Sequence, residues 1–237
     1  MDDKMLTQIA REIFTDYQEV SARFDEHIDL KVRWTRTPSK EFIDLHICDY
    51  LKEMPIEMMV AFLKCLSVKM RGEDAPYPDA MCEYLDSEEF RVGGEACNLS
   101  LHMERMKKYM PDLDYDTESE VNERVYDMLL DLEDKGYKVA PVTVGTTSEI
   151  VHPMHSGNPW LLSLLFKEII IQRDFIEQLD DDELEAVLKA CLDFIHKSIS
   201  EVSKQHLCPD IILQILSHLE DDDAKRRMMD RLGGYMQ

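Results

Sequence analysis

Four side chains in the last quarter of the chain have the chemical types that bind zinc. Asp193 and His196 stand three residues apart on one predicted helix, and His206 and Cys208 follow about one turn from each other. Carboxylate, imidazole and thiolate groups are all zinc ligands in proteins. Their spacing matches none of the established zinc patterns, so the alternative is an Asp–His pair on the helix surface followed by a connecting loop.

Two further histidines, His152 and His155, lie in the segment 151–160, which contains two prolines and a glycine and ends in tryptophan. Loops supply binding residues more often than other parts of a fold, and an aromatic ring beside two imidazoles suits a small-molecule pocket. Together with His196 and His206, these two histidines also form the ligand set of a metal-dependent hydrolase. Histidine is an ordinary residue near turns, and that is the alternative to both hypotheses.

The established catalytic and cofactor motifs are missing from the sequence. It contains no GxGxxG or GxxxxGK[ST] phosphate-binding loop and no GxSxG nucleophile elbow. The segment Arg91-Val-Gly-Gly-Glu95 is too short to hold a phosphate group and predicts a helix break instead. The sequence therefore predicts no catalytic residue, no cofactor-binding residue and no bound cofactor, and it favours a protein that is not an enzyme.

The charge of the chain limits the partners that it can bind. Its 237 residues include 49 acidic and 27 basic side chains, which give a formal net charge of −22. This charge repels nucleic-acid phosphates and anionic lipid headgroups, so neither a nucleic acid nor a membrane is expected as a partner. A partner protein with a basic surface, or a second copy of the chain, is expected instead. Solubility and adaptation to a salty cytoplasm are the alternative explanations of the acidity.

The start of the chain and its six cysteines predict the cellular compartment. The N-terminus opens with Met-Asp-Asp-Lys, where a secretory signal would carry positive charge, and no apolar run reaches the length of a membrane span. None of the cysteines forms a CxxC pair. We therefore expect a cytoplasmic protein whose cysteines are reduced and, on apolar helix faces, buried.

The hydrophobic pattern predicts a helix-rich α+β protein with small antiparallel sheets. Helices are predicted at 6–24, 54–70, 117–135, 181–203, 209–219 and 221–232, and strands at 29–34, 42–47, 139–144, 161–165 and 168–172. An acidic, proline-containing break at 111–116 separates the pattern into two parts. We therefore expect an N-terminal α+β unit at 1–112 and a C-terminal α+β unit at 117–237.

The two expected units share an order of parts, in which a strand hairpin is followed by a polar turn and a long amphipathic helix. Tyr50-Leu-Lys-Glu-Met-Pro-Ile-Glu57 is similar to Phe175-Ile-Glu-Gln-Leu-Asp-Asp-Asp182, and apolar helices follow at 58–66 and 184–192. An internal pseudo-duplication is one interpretation of this similarity. Chance agreement between amphipathic helices is the other.

The order of elements from residue 117 onwards resembles that of the SprT-like and minigluzincin metallopeptidases. Phe166-Lys-Glu-Ile-Ile-Ile-Gln172 is similar to the strand that precedes the active-site helix of that family, and 179–184 to the turn that follows the strand. The helix 185–194 then stands where the family carries its HExxH motif. The resemblance covers about half of the chain and implies a fold.

The chemistry of that family depends on residues that this helix lacks. HExxH places two histidines on one helix face as zinc ligands, with the glutamate as general base. Ala190, Cys191 and Phe194 occupy the corresponding positions here, and neither a methyl group nor a phenyl ring binds a metal. The missing ligands and the acidic surface together favour a pseudoenzyme: a non-catalytic protein-interaction scaffold on a degenerate metallopeptidase-like fold. The unorthodox metal-dependent hydrolase and the small-molecule binding module are the alternative functions.

Overall fold

The structure of the chain, a computed structural model, describes residues 1–28, 30–73, 75–95, 97–151, 157–205 and 210–235. It contains two compact units, Met1–Leu101 (unit 1) and His102–Gln237 (unit 2), and each has its own three-stranded sheet. The helix-rich α+β class is confirmed. The two units divide inside a helix, ten residues before the acidic break at which the sequence predicts the boundary.

Unit 1 begins with a helix, continues with three strands and ends in helices. Its elements are α1 (Asp3–Ile13), β1 (Glu19–Asp25), β2 (Val32–Arg36), β3 (Phe42–Cys48), a 3-10 turn (Asp49–Leu51), α2 (Ile56–Lys69), α3 (Asp79–Asp86), α4 (Glu88–Val92) and the start of α5 (Asn98–Tyr109). α4 ends at the two glycines of the predicted helix break, where Gly94 has a positive φ of 77°.

The predicted helix 6–24 is wrong in its second half, which forms β1. Burial in this strand alternates, with Val20 and Ala22 buried and Glu19 and Ser21 exposed. That is the period of a strand and not of a helix. Because Val20 also fits the helical spacing of α1, the sequence pattern hides the change of period.

The sheet of unit 1 has the strand order β1-β3-β2 and is mixed. β2 and β3 form the antiparallel hairpin that the sequence predicts. β1 pairs with the other side of β3 in parallel, with Val20 opposite Ile43 and Ala22 opposite Leu45. A parallel pair needs a crossover, which the intervening β2 supplies. The sequence predicts an antiparallel sheet, and the prediction is wrong for the pairing of β1 with β3.

Unit 2 repeats the α+β design with more helices. Its elements are the rest of α5, α6 (Glu120–Asp134), β4 (Thr143–Thr147), β5 (Trp160–Ser163), β6 (Glu168–Gln172), α7 (Arg173–Gln178), α8 (Asp181–Ile195), α9 (Ile199–Gln205), α10 (Ile211–His218) and α11 (Asp222–Tyr235). The sheet order is β4-β6-β5, with β4 parallel and β5 antiparallel to β6. The core packs α6, α8, α10 and α11 around the buried central residues of β6.

Two predicted elements of unit 2 differ most from the structure: one strand starts later, and one helix is divided. The strand expected at 139–144 begins at Thr143, because Pro141 has no N–H for a strand ladder and lies in the preceding turn. The helix expected at 181–203 is divided into α8 and α9. Ser198 and Glu201 start the second helix with a capping box, in which each side chain binds the backbone N–H of the other at 3.1 and 3.0 Å.

The order of elements in the two units supports the internal duplication. In each unit a helix precedes three strands with the same parallel and antiparallel pairing, and a short helical turn leads from the central strand to a long helix. The aligned residues also share their burial. Tyr50 and Phe175 are fully buried, and Met54 and Leu179, four residues further on in each unit, are buried too. The two similar segments, 50–57 and 175–182, therefore occupy equivalent positions, after the central strand of the sheet in each unit.

The five cysteines that the structure describes form no disulfide bond with one another. Cys48, Cys65, Cys82 and Cys191 are buried, as expected for thiols that act as small core residues, and Cys97 is half-buried. Among the described helices, none is both long enough and apolar enough to cross a bilayer.

Candidate functional site

The two predicted zinc ligands that the structure describes have other roles. Asp193 accepts a hydrogen bond from Nε2 of His218 at 3.0 Å, and its predicted partner His196 makes no such bond to it. His196 is the C-cap residue of α8, and burial lowers the pKa of its imidazole. Within the described ranges, no cluster of three or more His, Cys, Asp or Glu side chains could hold a metal ion.

The other four residues of the metal and pocket hypotheses are His152, His155, His206 and Cys208. All of them lie outside the described residues. The metal-dependent hydrolase and the small-molecule pocket therefore stay predictions from the sequence.

The helix face that would carry the metallopeptidase ligands lies in the core of unit 2. Ala190 and Cys191 are completely buried on α8, and Phe194 packs against the same core. Burial raises the pKa of the Cys191 thiol to about 12, so the thiol stays protonated at neutral pH. A residue at either position faces packed side chains, and this face of α8 offers no approach to a substrate.

The densest basic run of the chain, 225–231, is neutralised inside unit 2. Its first two bases pair with acids one turn earlier in α11. Arg227 and Arg231 both bind Glu183 of α8, whose side chain is fully buried. Arg227 also binds Asp180, which caps α8. These cations hold α11 against α8 and are not a free surface for phosphate groups.

Unit 2 contains a buried polar centre that the sequence did not reveal, made of Glu168, His102 and Tyr115. The Glu168 carboxylate is bound by Nε2 of His102 at 2.9 Å and accepts a hydrogen bond from the Tyr115 hydroxyl at 2.7 Å. Burial, and then the adjacent carboxylate, raise the pKa of Tyr115. Gly145 makes room for the tyrosine, because a Cβ there would lie 2.8 Å from the ring. Since His102 and Glu168 are each only 1% exposed, the centre is part of the core.

One edge of the sheet in unit 1, that of β1, is closed by side chains of α1. Thr7 both donates to the carbonyl of Ala22 and accepts from its N–H, at 2.7 and 3.0 Å. Asp3 and Arg11 lie one helical turn before and after Thr7. Asp3 accepts a hydrogen bond from the N–H of Phe24 at 3.0 Å, and Arg11 donates one to the carbonyl of Val20 at 3.2 Å. The three side chains occupy the hydrogen-bonding positions that another strand would need.

The opposite edge of the same sheet, that of β2, is open. Hydrogen bonds from the Thr37 amide and to the Lys31 carbonyl, at 3.2 and 3.0 Å, show that the odd-numbered residues face β3. Antiparallel strands alternate, so the N–H and C=O groups of Val32, Trp34 and Arg36 point away from the sheet. No hydrogen bond from the described residues reaches these outward groups. We call the outward backbone groups of these three residues the open edge.

The side chains next to the open edge are positively charged, although the protein as a whole is acidic. Residues 30–40 include four cations and no acid. Arg33 is held at 3.2 Å from Nδ1 of His27, and Arg36 donates to the Met70 carbonyl at 3.2 Å. None of the ion pairs between described residues involves Lys31, Arg33 or Arg36.

Trp34 stands between Arg33 and Arg36 along β2 and is 45% exposed. An exposed tryptophan next to unpaired strand groups is suited to contact with a partner.

The chain matches no family model, no curated protein and no solved structure.

A second charged network lies on the solvent face of the same sheet. His46 bridges two carboxylates, with Nδ1 2.5 Å from Asp25 and Nε2 2.7 Å from Asp44. Ser21 donates to the second carboxylate at 2.5 Å. The hydrogen bonds to Asp25 and then Asp44 raise the pKa of His46. The pKa of Asp25 is lowered mainly by His46, and that of Asp44 mainly by Ser21.

These pKa shifts predict a pH-dependent stability of unit 1. Because the His46 pKa is raised above its ordinary 6.5, its contribution is present below that value and is lost as pH rises through the raised pKa. The carboxylates contribute above their ordinary 3.8 and lose their contribution as pH falls. For side chains this exposed, we expect about 1 kcal/mol or less. Hydrogen exchange of β1 and β3 should therefore accelerate above pH 7 in the native chain more than in His46→Gln.

Proposed function

We propose that this protein is a non-catalytic interaction protein that binds an extended segment of a partner protein along the open edge. The observation that carries the proposal is the contrast between the two edges of one sheet. Side chains of α1 close β1, whereas β2 offers the backbone groups of Val32, Trp34 and Arg36 to solvent. An extended chain that adds as a further strand would satisfy these groups, which is a general mode of peptide recognition.

Unit 2 supports the part of the proposal that makes the protein non-catalytic. β6 precedes α8 in the order that the metallopeptidase resemblance implies, with the short helix α7 between them. Ala190 and Phe194 stand at the positions of the two ligands and Cys191 at that of the base. Ala190 and Cys191 are completely buried, and Phe194 packs against the same core. We therefore propose that unit 2 is the degenerate scaffold and that unit 1 carries the binding site.

Proline at position 32 tests the role of the open edge. The Val32 N–H points outward, so proline removes one donor of the edge and leaves the ladder to β3 intact. Random extended peptides displayed on phage would be selected on the native chain, and their affinities remeasured by fluorescence polarisation. We expect Val32→Pro to weaken the selected peptides at least about tenfold.

Val32→Ala is the matched control, because it shortens the same side chain but keeps the N–H. This variant should retain most of the binding. Trp34→Ala, which removes an exposed ring without touching the backbone, gives a second test if the proline variant does not fold. Peptides that bind all three variants as tightly as the native chain would contradict the proposed function.

A further inference from the structure

We infer that the partner segment is acidic, with acidic and apolar side chains in alternation. The inference rests on the proposed function and names the chemistry of its partner. The overall charge of −22 led to the prediction of a basic partner, but the local charge of the open edge has the opposite sign. Segment 30–40 has four cations and no acid; Lys40, in the turn beyond β2, is paired with Asp16, and Lys31, Arg33 and Arg36 make the edge positive.

The solvent face of the sheet determines one half of the alternation. A strand added to β2 places its side chains beside those of β2 on the same face. On the solvent face these are Lys31, Arg33 and Thr35, and the first two are cations without an ion pair among the described residues. The cations further into the sheet, His46 and Arg23, are already paired with carboxylates of the sheet. The alternate residues of the partner would therefore meet cations, and carboxylates are the groups that fit.

The other face of the sheet determines the second half of the alternation. Val32 and Trp34 lie on this face, in the same rows as the buried Ile47 and Leu45 of β3. The intervening side chains of an added strand would lie beside these two residues and cover the exposed part of the tryptophan ring. Apolar side chains gain most from that position.

Charge also decides between this partner and two other occupants. A second copy pairing through β2 would bring its own Lys31, Arg33 and Arg36 beside the same three cations, and like charges on adjacent strands repel. A nucleic acid has phosphates for the cations but no backbone groups that match a strand edge. It would also extend over a protein with 49 acidic residues.

Three fluorescent probes test the inference on the full chain. The first is a ten-residue peptide of alternating glutamate and valine, the second alternates lysine and valine, and the third is a ten-nucleotide oligothymidine. We expect the glutamate peptide to bind at least about tenfold more tightly than either other probe, and to weaken as sodium chloride rises from about 50 to about 500 mM. Tighter binding of the lysine peptide or the oligonucleotide would overturn the inference.

A charge-reversal variant gives the sharper result. Lys31→Glu combined with Arg33→Glu changes two exposed side chains and leaves the outward backbone groups unchanged. The preference should reverse, so that the lysine peptide now binds more tightly than the glutamate peptide. An unchanged preference in a variant that keeps its circular dichroism spectrum would show that charge at this edge does not select the partner.

The failure of this inference is distinguishable from the failure of the proposed function. If the phage selection yields apolar or basic peptides whose binding is lost in Val32→Pro, the open edge binds partners and the acidic assignment is wrong. If no selected peptide depends on position 32, both are wrong.

Discussion

Replacing Arg227 and Arg231 together with alanine is expected to destabilise unit 2 by clearly more than the loss of two exposed ion pairs does. Both guanidinium groups bind Glu183, which is completely buried in the first turn of α8. Without them the buried carboxyl group has no cation beside it. Breaking a buried ion pair from one side is costly for this reason, whereas the pair itself contributes little net stability.

The two tryptophans make this loss measurable for unit 2 alone. Trp160 is 4% exposed in unit 2, and Trp34 lies in unit 1. In a Trp34→Phe background, the fluorescence of Trp160 during urea denaturation reports the unfolding of unit 2. The matched control is Lys225→Ala with Arg226→Ala, on the same helix and in exposed ion pairs, which should cost less than about 1 kcal/mol for each pair.

A third substitution separates the buried charge from the lost packing of the two arginines. Adding Glu183→Gln to the double variant removes the unpaired charge but keeps a side chain that can serve the capping box with Asp180. We expect this triple variant to recover part of the lost stability. A triple variant less stable than the double variant would contradict the ion-pair explanation.

The second large effect is expected at the buried polar centre. Glu168→Ala removes the acceptor that both His102 and Tyr115 contact, and leaves their polar atoms inside the core without this partner. Each such loss costs about 1–3 kcal/mol, so we expect unit 2 to lose about 2–6 kcal/mol in total. The same Trp160 fluorescence measurement applies.

Two controls separate this centre from a general effect of removing an acid. Glu177→Ala, at an exposed position of α7, should change the stability by no more than about 0.5 kcal/mol. Tyr115→Phe removes one of the two hydrogen bonds and should cost about 1–2 kcal/mol. A Glu168→Ala variant as stable as the Glu177→Ala variant would show that the centre does not hold unit 2 together.

The hydrophobic pattern of the sequence predicted those strands and helices whose residues alternate or repeat with a clear local period. β6 has the bounds that its short apolar run predicts, and the β2–β3 hairpin follows from alternation on either side of a proline-containing turn. β1 was missed because Val20 fits two periods, and its strand conformation depends on pairing with β3. A parallel partner 23 residues away along the chain leaves no trace in the local sequence.

The candidate site depended even more on contacts between distant residues. The acid-free segment 30–40 is visible in the sequence and could have indicated a distinct surface. Its meaning comes from the fold, because α1 closes one edge of the sheet with Thr7 and its neighbours and leaves the other edge open. The same holds for Glu168, whose partners come from residues 53 and 66 positions away.

The most direct test of the open edge is the hydrogen exchange of individual amides, measured by NMR with and without the glutamate–valine peptide. Strand addition predicts that the amides of Val32, Trp34 and Arg36 exchange fast in the free protein and slow markedly when the peptide is present. The amides of Arg33 and Thr35, which face β3, should change much less. Bound peptide with no added protection at Val32, Trp34 and Arg36 would contradict the account.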